Sequence, residues 1–139
     1  MGIGTLTIGA GLPPRGAELD VAVNGLRNAK GVVMLCLTRR PDAIYLRCDE
    51  DPARISRIVT AREAGAIHIK DMAPGDYSLL VIHDENRNGR LDKMLGMPRE
   101  GFGFSRNPAI RFGPPRYGDV RFTVPVGRSR QAIKLRYLL

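Results

Sequence analysis

One short segment of the chain concentrates the residue types that coordinate a cation. From Asp84 to Asp92 the sequence places oxygen-bearing side chains at the first, third, fifth and ninth positions and a glycine at the sixth. This spacing is typical of calcium loops, in which the seventh residue adds its backbone carbonyl. It predicts a calcium site with these candidate ligands: Asp84, Asn86, Asn88, Arg90 through its carbonyl oxygen, and Asp92.

The same segment also fits a loop that binds nothing. The twelfth position, where an EF-hand has a bidentate glutamate, is Leu95, so Glu85 or Glu100 would have to supply that ligand. Neighbouring arginines weaken the attraction for a dication. Asp and Asn form Asx-turns and tolerate left-handed backbone, which a tight exit from a strand requires in any case. Calcium loop and structural loop both stay open.

Few residues of the chain could act as catalytic groups in a hydrolase. A triad would have to combine Ser105, His83 and Asp84. Adjacent residues of a strand point to opposite faces, so Asp84 is poorly placed to orient the neighbouring imidazole. His68 is expected to be a solvated surface histidine. No catalytic residue is predicted, and the sequence favours a non-enzymatic protein with a hydrolase as the weaker alternative.

A second candidate binding segment follows the first. Aromatic rings, glycines and polar groups alternate there, and such a surface can stack on bases or sugars. The candidate binding residues are Phe102, Phe104, Ser105 and Asn107. The alternative is that these aromatic residues anchor a long loop to the sheet beneath it.

The two cysteines, Cys36 and Cys48, are twelve positions apart. A disulfide between them would stabilise the fold by about 3 kcal/mol in the chain-entropy model. They match no zinc site, which needs four ligands. Two reduced cysteines, one buried as a small apolar side chain, are the alternative.

Composition limits the size and the partners of the protein. A chain of 139 residues with 43% apolar residues can form one domain with a proper core. The net charge is +8, but the basic residues are scattered and match no nucleic-acid-binding motif, so no specific nucleic acid is predicted. No apolar run is long enough to span a membrane. The first nine residues lack the features of a signal peptide.

The elements that must position these residues are strands, because apolar residues alternate with period two and helical periodicity is nearly absent. Strands are predicted over residues 19–23, 32–38, 57–61, 66–70, 77–82, 120–124 and 133–137. Seven short strands separated by Gly/Pro turns predict an all-β fold, a seven-stranded antiparallel β-sandwich, with a closed barrel as the alternative.

The predicted domain organisation is simple. Residues 1–16 are expected to form a flexible N-terminal segment, and residues 17–139 a single β-sandwich domain. A long irregular loop over residues 84–117 separates strands five and six. Loops of that length in compact domains are usually functional or disordered.

The order of several motifs resembles one bacterial family, the domain of unknown function 2141. The motifs are Asn24-Gly25-Leu26-Arg27-Asn28-x-x-Gly31, Pro74-Gly75-Asp76-Tyr77, His83-Asp84-Glu85-Asn86-x-Asn88-Gly89-x-Leu91-Asp92, Gly96-x-Pro98-x-Glu100-Gly101-x-Gly103-Phe104-Ser105 and Phe112-Gly113-Pro114-Pro115. The resemblance spans about residues 19–138. The chain departs from the family pattern at Arg106, where a second Asn often stands.

The resemblance implies a small exported protein with a sandwich of the immunoglobulin-like or transthyretin-like (Cna-B-type) kind. Export implies a periplasmic or secreted location, a signal peptide removed before residue 1, and a Cys36–Cys48 disulfide preserved in an oxidising compartment. The family brings no established activity.

Three functions follow as hypotheses. The first is an exported binding or accessory module that uses the 84–117 loop to contact an envelope protein or glycan, with calcium stabilising residues 84–92. The second is a purely structural or protein-interaction domain without metal. The third is an envelope-acting hydrolase with a metal at Asp84, Asn88 and Asp92.

Overall fold

The computed structural model describes residues 16–89, 93–94, 97–98, 100–110 and 113–138. The described chain is mostly β, as predicted. Its strands are β1 (Ala17–Asn24), β2 (Val32–Thr38), β3 (Ile55–Thr60), β4 (Ile67–Met72), β5 (Gly75–Asp84), β6 (Lys93–Met94), β7 (Met97–Pro98), β8 (Gly101–Phe104), β9 (Phe122–Val124) and β10 (Gly127–Lys134). The helical elements are two 3₁₀ segments, Asp42–Glu50 and Ala61–Glu63, and one turn of α-helix, α1 (Tyr117–Val120).

These strands form two open sheets. The three-stranded sheet has the order β10-β1-β4, and the larger sheet has the order β3-β2-β5-β8 with β9 also paired to β5. Among the described strands, β6 and β7 pair only with each other. Because the described strands form two separate sheets, the closed-barrel alternative is wrong.

The main hydrophobic core lies between the two sheets. Alternate residues of each strand enter it, as the period-two pattern predicts: Leu19 and Val21 of β1, Val33 and Leu35 of β2, and Val81 of β5 are all at most 1% exposed. The core therefore forms from the residues that define the strands in the sequence.

A second, smaller hydrophobic cluster covers the outer face of the larger sheet. Tyr45, Phe102, Phe104 and Val120 are buried in it, and Leu80 of β5 packs against them. The 3₁₀ segment that contributes Tyr45 is attached to β2 by the disulfide Cys36–Cys48. The bond that the resemblance implied is present, and it links this covering segment to a central strand.

Three details of the fold differ from the sequence prediction. The described residues contain eight strands in the two sheets rather than seven. The pair β1–β10 is parallel, with Ala17 opposite Gly127, so the sandwich is not wholly antiparallel. The last strand is Gly127–Lys134 rather than 133–137, because polar Ser129 and Gln131 take inward positions and give no apolar alternation.

Two further expectations concern the ends and the membrane. Apart from Gly16, the predicted flexible segment 1–16 lies outside the described residues. Within the described part of the chain, no helix has the length and apolar character that crossing a membrane would require. The finer immunoglobulin-like or transthyretin-like assignment stays a prediction.

Candidate functional site

The end of β5 carries a buried histidine. His83 is fully buried and lies on the core face of the strand, in line with Leu79 and Val81. Its Nε2 is 2.7 Å from the backbone oxygen of Lys30, and its Nδ1 is 2.7 Å from the hydroxyl oxygen of Tyr137. Both ring nitrogens are therefore used within the protein.

These contacts define the tautomer of the neutral ring. A carbonyl oxygen can only accept, so Nε2 of His83 carries the proton and donates to Lys30. Nδ1 then accepts from the hydroxyl of Tyr137, whose oxygen accepts the backbone N–H of Arg27 at 3.2 Å. Burial raises the pKa of Tyr137, and the Glu85 carboxylate raises it further, which keeps the phenol protonated as this donor role requires.

The glutamate two residues after this histidine connects the end of β5 to the β1–β2 turn. Glu85 accepts a hydrogen bond from Asn28 Nδ2 at 2.8 Å and pairs with the Arg27 guanidinium at 2.6 Å. That guanidinium also lies over the ring of Tyr137, 4.5 Å from its centroid. Burial acts to raise the pKa of Glu85, but the hydrogen bonds from Arg27 and Asn28 outweigh it, so the pKa lies below its usual value.

A second glutamate closes the base of the following loop. Glu100 is 4% exposed, and its Oε2 accepts the backbone N–H of Glu85 at 2.6 Å. One residue further on, Gly101 pairs with His83 across β5 and β8. The loop between residues 85 and 100 therefore leaves and rejoins the sandwich at one place. The pair β6–β7 lies within it.

These contacts join four separate segments of the chain at one end of the sandwich. We call the set the polar junction. It comprises Arg27, Asn28, His83, Glu85, Glu100 and Tyr137.

Two glycines allow the segments to approach this closely. Gly31 has φ +68°, and a Cβ there would lie 2.1 Å from the carbonyl oxygen of Asp84. A Cβ on Gly101 would lie 2.5 Å from the ring of Tyr137. Any larger residue would displace the backbone of β5 or the ring, which explains why the junction needs glycine at both positions.

Two of the proposed calcium ligands, Asp84 and Asn86, accept hydrogen bonds from backbone amides of the turn that follows β5. Asp84 is 1% exposed, and its two carboxylate oxygens accept the backbone N–H groups of Asn88, at 3.1 Å, and Gly89, at 2.7 Å. The side-chain oxygen of Asn86 also accepts the N–H of Asn88, at 3.3 Å. Left-handed backbone at Arg87 and Gly89 completes the turn. Asp84 and Asn86 therefore direct oxygens to the same amide.

The structure describes only part of the predicted ligand set. Arg90 and Asp92 lie outside the described residues, as does Leu95. Among the residues that are described, no group of three or more His, Cys, Asp or Glu side chains is placed to hold a metal ion. The calcium loop stays a prediction.

The residues of the hypothetical triad are used elsewhere. Ser105 is fully buried; its Oγ donates to the carbonyl of Val120 and accepts the N–H of Leu79. It thus holds the end of β8 to β5, and no hydrogen bond joins it to His83 in the described chain. His68 is exposed as expected, on the outer face of the smaller sheet between Glu18 and Asp20.

The second candidate segment is seated on the sandwich. Phe102 and Phe104 are 7% and 6% exposed, which is the arrangement expected of anchors. The side-chain amide of Asn107 donates to Ala132 and accepts from the N–H of Lys134, so it pairs with β10 as a short strand would. A ligand-binding role for these residues stays a prediction.

Sequence reasoning did not identify three members of the polar junction, Arg27, Asn28 and Tyr137. Arg27 and Asn28 stand in a quoted motif and Tyr137 in a predicted strand, but none has a residue type and spacing that indicates a site. The one available signal was a glycine in each of two motifs: Gly101, which lies against the ring of Tyr137, and Gly31, which lies against the backbone of Asp84 and Glu85. Contacts over 50 to 110 positions, such as Arg27 to Glu85 and Arg27 to Tyr137, leave no local pattern.

The comparisons with known proteins now have a structural context. A family model described as "uncharacterized protein conserved in bacteria", domain of unknown function 2141, matches residues 21–133. The chain belongs to this family. The match includes most of the polar junction and the whole β5–β8 hairpin. No curated protein and no solved structure matches the chain.

Proposed function

We propose that this member of the family is a non-enzymatic binding or accessory module that works outside the cytoplasm, and that it presents the loop 86–99 to an envelope protein or glycan. The observation that carries the proposal is the closed base of that loop. Glu100 bonds the backbone of Glu85 at 2.6 Å, and Glu85 is itself held by Arg27 and Asn28. A rigid scaffold that presents a loop is a common arrangement for binding.

The composition of the presented loop supports a binding role. Residues 86–89 are exposed. The sequence over 86–99 is rich in arginine, methionine and leucine, and Arg and Met are enriched at protein interfaces. Methionine side chains also adapt to irregular partner surfaces.

A non-enzymatic role is supported by how the reactive groups are used. His83 directs both ring nitrogens to protein atoms, and Ser105 bonds Val120 and Leu79. Side chains whose polar atoms bond the protein in this way hold the fold together.

The Cys36–Cys48 disulfide supports a periplasmic or secreted location, because such bonds persist in oxidising compartments. Two facing sheets around one core support an immunoglobulin-like or transthyretin-like sandwich.

The test compares one variant in the loop with a charge-matched variant elsewhere. Arg87→Glu reverses an exposed charge in the loop, and Arg40→Glu does the same beyond the opposite end of β2. Purified envelope polysaccharides and envelope proteins are passed over the immobilised protein by interferometry. We expect Arg87→Glu to weaken capture at least tenfold and Arg40→Glu to leave it unchanged. Equal capture by both variants would exclude the loop as the binding surface.

A second function, calcium-dependent stabilisation of the loop, is favoured by one observation. The side-chain oxygens of Asp84 and Asn86 converge on the N–H of Asn88. Each oxygen that accepts one N–H keeps a further lone pair, so these groups fit the first and third ligands of a calcium loop. Calorimetric titration with calcium after chelator treatment tests this. Neither heat nor a melting shift at millimolar calcium would reject it, without affecting the loop-presentation proposal.

A further inference from the structure

One edge of the larger sheet carries backbone groups that have no partner in the described chain. Among the described strands, β3 pairs only with β2, so it is an edge strand. The N–H of Ala61 donates to Gly31, and in an antiparallel ladder every second pair then exchanges hydrogen bonds in the same way. Those pairs include Val59 opposite Val33 and Arg57 opposite Leu35.

The residues between them face the other way. The backbone N–H groups of Ser56, Ile58 and Thr60 point away from β2, and no partner for them lies in the described chain. The carbonyl of Ser56 alone is used, by the side chain of Arg57. Three regularly spaced donors are therefore offered to an added strand.

A basic groove lies beside this edge. Its volume is about 600 Å³, and it is lined by Arg54, Arg57 and Lys70, with Asp71 as the one acidic residue. The groove runs between the edge strands β3 and β4. All three basic side chains are exposed, and within the described chain none of them forms an ion pair with a carboxylate closer than 4 Å. Arg54 and Arg57 each donate once to a backbone carbonyl, which leaves most of their N–H donors available.

The two faces of β3 differ in character. Ile55 and Val59 pack against the main core, and Arg57 lies between them on the same face, which borders the groove. Ile58 is on the opposite face and is 66% exposed. A charge that points inward on an edge strand normally prevents indiscriminate pairing. Here it would repel a second basic chain such as this one and attract an acidic strand.

We infer that β3 is a docking site for an extended acidic peptide segment of another protein, which adds to the sheet as a further strand. Backbone groups of Ser56, Ile58 and Thr60 supply the main-chain hydrogen bonds, as in other strand additions. Side chains of the added strand alternate between faces. Acidic residues on one face meet Arg54, Arg57 and Lys70, and β-branched residues on the other face meet Ile58.

This pattern specifies a probe. A labelled seven-residue peptide that alternates Glu and Val is titrated into the full chain at low salt and followed by fluorescence anisotropy. A Lys/Val peptide of the same length is the charge control. A Glu/Val peptide methylated at alternate backbone nitrogens is the hydrogen-bond control. We expect the first to bind at least ten times more tightly than either control.

Protein variants locate the site. Arg57→Glu is expected to weaken binding of the Glu/Val peptide about tenfold, equivalent to about 1.4 kcal/mol. Arg130→Glu changes the same charge on β10, at the opposite edge of the other sheet, and is expected to leave binding unchanged. Ile58→Pro removes one outward N–H and should weaken binding, while Ile58→Thr keeps it. If Ile58→Pro does not fold, the methylated peptide tests the same hydrogen bonds.

Amide exchange gives the position-specific readout. The amides of Ser56, Ile58 and Thr60 should exchange rapidly in the free protein and slow at least tenfold in the complex, while those of Arg57 and Val59 are already protected by β2. Equal binding of the methylated peptide overturns the inference. So does equal weakening by Arg57→Glu and Arg130→Glu. Displacement of the peptide by polygalacturonate without protection of these amides would identify an anionic glycan site instead.

Discussion

The hydroxyl of Tyr137 donates to Nδ1 of His83 at 2.7 Å, and this contact joins residue 137 to the end of strand β5. The two rings meet edge to face, with centroids 6.0 Å apart. The orientation of a buried imidazole thus depends on a residue 54 positions away. The position of His83, and with it the end of β5, therefore depends on a contact with Tyr137.

Tyr137→Phe tests the importance of this contact for stability. The change leaves Nδ1 of His83 without its donor and the N–H of Arg27 without its acceptor, so we expect the free energy of unfolding to fall by about 1–3 kcal/mol. Urea denaturation measures it. In a His83→Leu background the same change should cost less, since one of the two partners has gone. An unchanged cost in that background would show that the two residues are not coupled.

Glu85→Gln should change how stability depends on pH. The pKa of Glu85 is lowered in the folded protein from its usual value of 4.5, so its carboxylate contributes stability above that value, and the contribution is lost as the pH falls through the folded pKa. We expect the wild type to exceed Glu85→Gln by about 1 kcal/mol at neutral pH. The difference should shrink once the pH drops below 4.5.

Urea denaturation from pH 7 to pH 3 follows this difference. Glu50→Gln removes one negative charge from an exposed pair with Arg47 and is the surface control. A difference between wild type and Glu85→Gln that grows toward acid would contradict the assignment.

Asp84→Ala should loosen the turn that follows β5. It removes the carboxylate acceptor of the Gly89 amide and one of the two acceptors of the Asn88 amide, which keeps the side-chain oxygen of Asn86. The Gly89 amide should therefore exchange at least tenfold faster with solvent, and the Asn88 amide should change less. The protein should lose about 1–3 kcal/mol of stability because a buried carboxylate makes these bonds. Asp84→Asn keeps one acceptor oxygen and should give an intermediate result. Unchanged exchange at Gly89 in Asp84→Ala would show that the turn is organised by other groups.

Gly101→Ala should disturb the polar junction through shape alone. Its methyl group would lie 2.5 Å from the ring of Tyr137, so the ring must shift away from His83. We expect a loss of about 1–3 kcal/mol on thermal or urea unfolding. Gly65→Ala is the matched control, because a Cβ there meets nothing within 4 Å. Similar stabilities for the two variants would mean that the ring position is not restrictive.

The Cys36–Cys48 disulfide can be tested directly. Replacing Cys36 and Cys48 together with serine should lower the free energy of unfolding by about 3 kcal/mol, because the bond closes a loop of twelve positions in the unfolded chain. Thiol titration of the unfolded, unreduced protein should find no free thiol. Two free thiols would contradict the bond.

The main core was predictable because the apolar residues that form it alternate within single strands. Leu19, Val21 and Val23 alternate within one strand, and Val32–Thr38 has the bounds expected of β2. Strand β8 was not predictable, since its sequence is Gly-Phe-Gly-Phe and glycine is a poor strand former. Its glycines are there because Tyr137 and Ile133 approach them, a fact that only the folded chain contains.

One part of the candidate site was also predictable from the sequence, and another part was not. The turn built by Asp84 and Asn88 follows from residue types that favour such turns, and the sequence located it. The pairing of Arg27 with Glu85 bridges 58 positions and follows from the β2–β5 register, which places Val32 beside Asp84. Register between distant strands is set by the whole core, so short motifs could not reveal it.

The parallel pairing of β1 with β10 has a consequence for how the chain matures. Residues 17–24 are made more than a hundred positions before their neighbours in the sheet, residues 127–134. During synthesis, the edge of β1 that pairs with β10 stays open until residues 127–134 have been made. Topologies dominated by such distant contacts fold slowly. Strand β1, which precedes the other described strands in the chain, thus completes its pairing last.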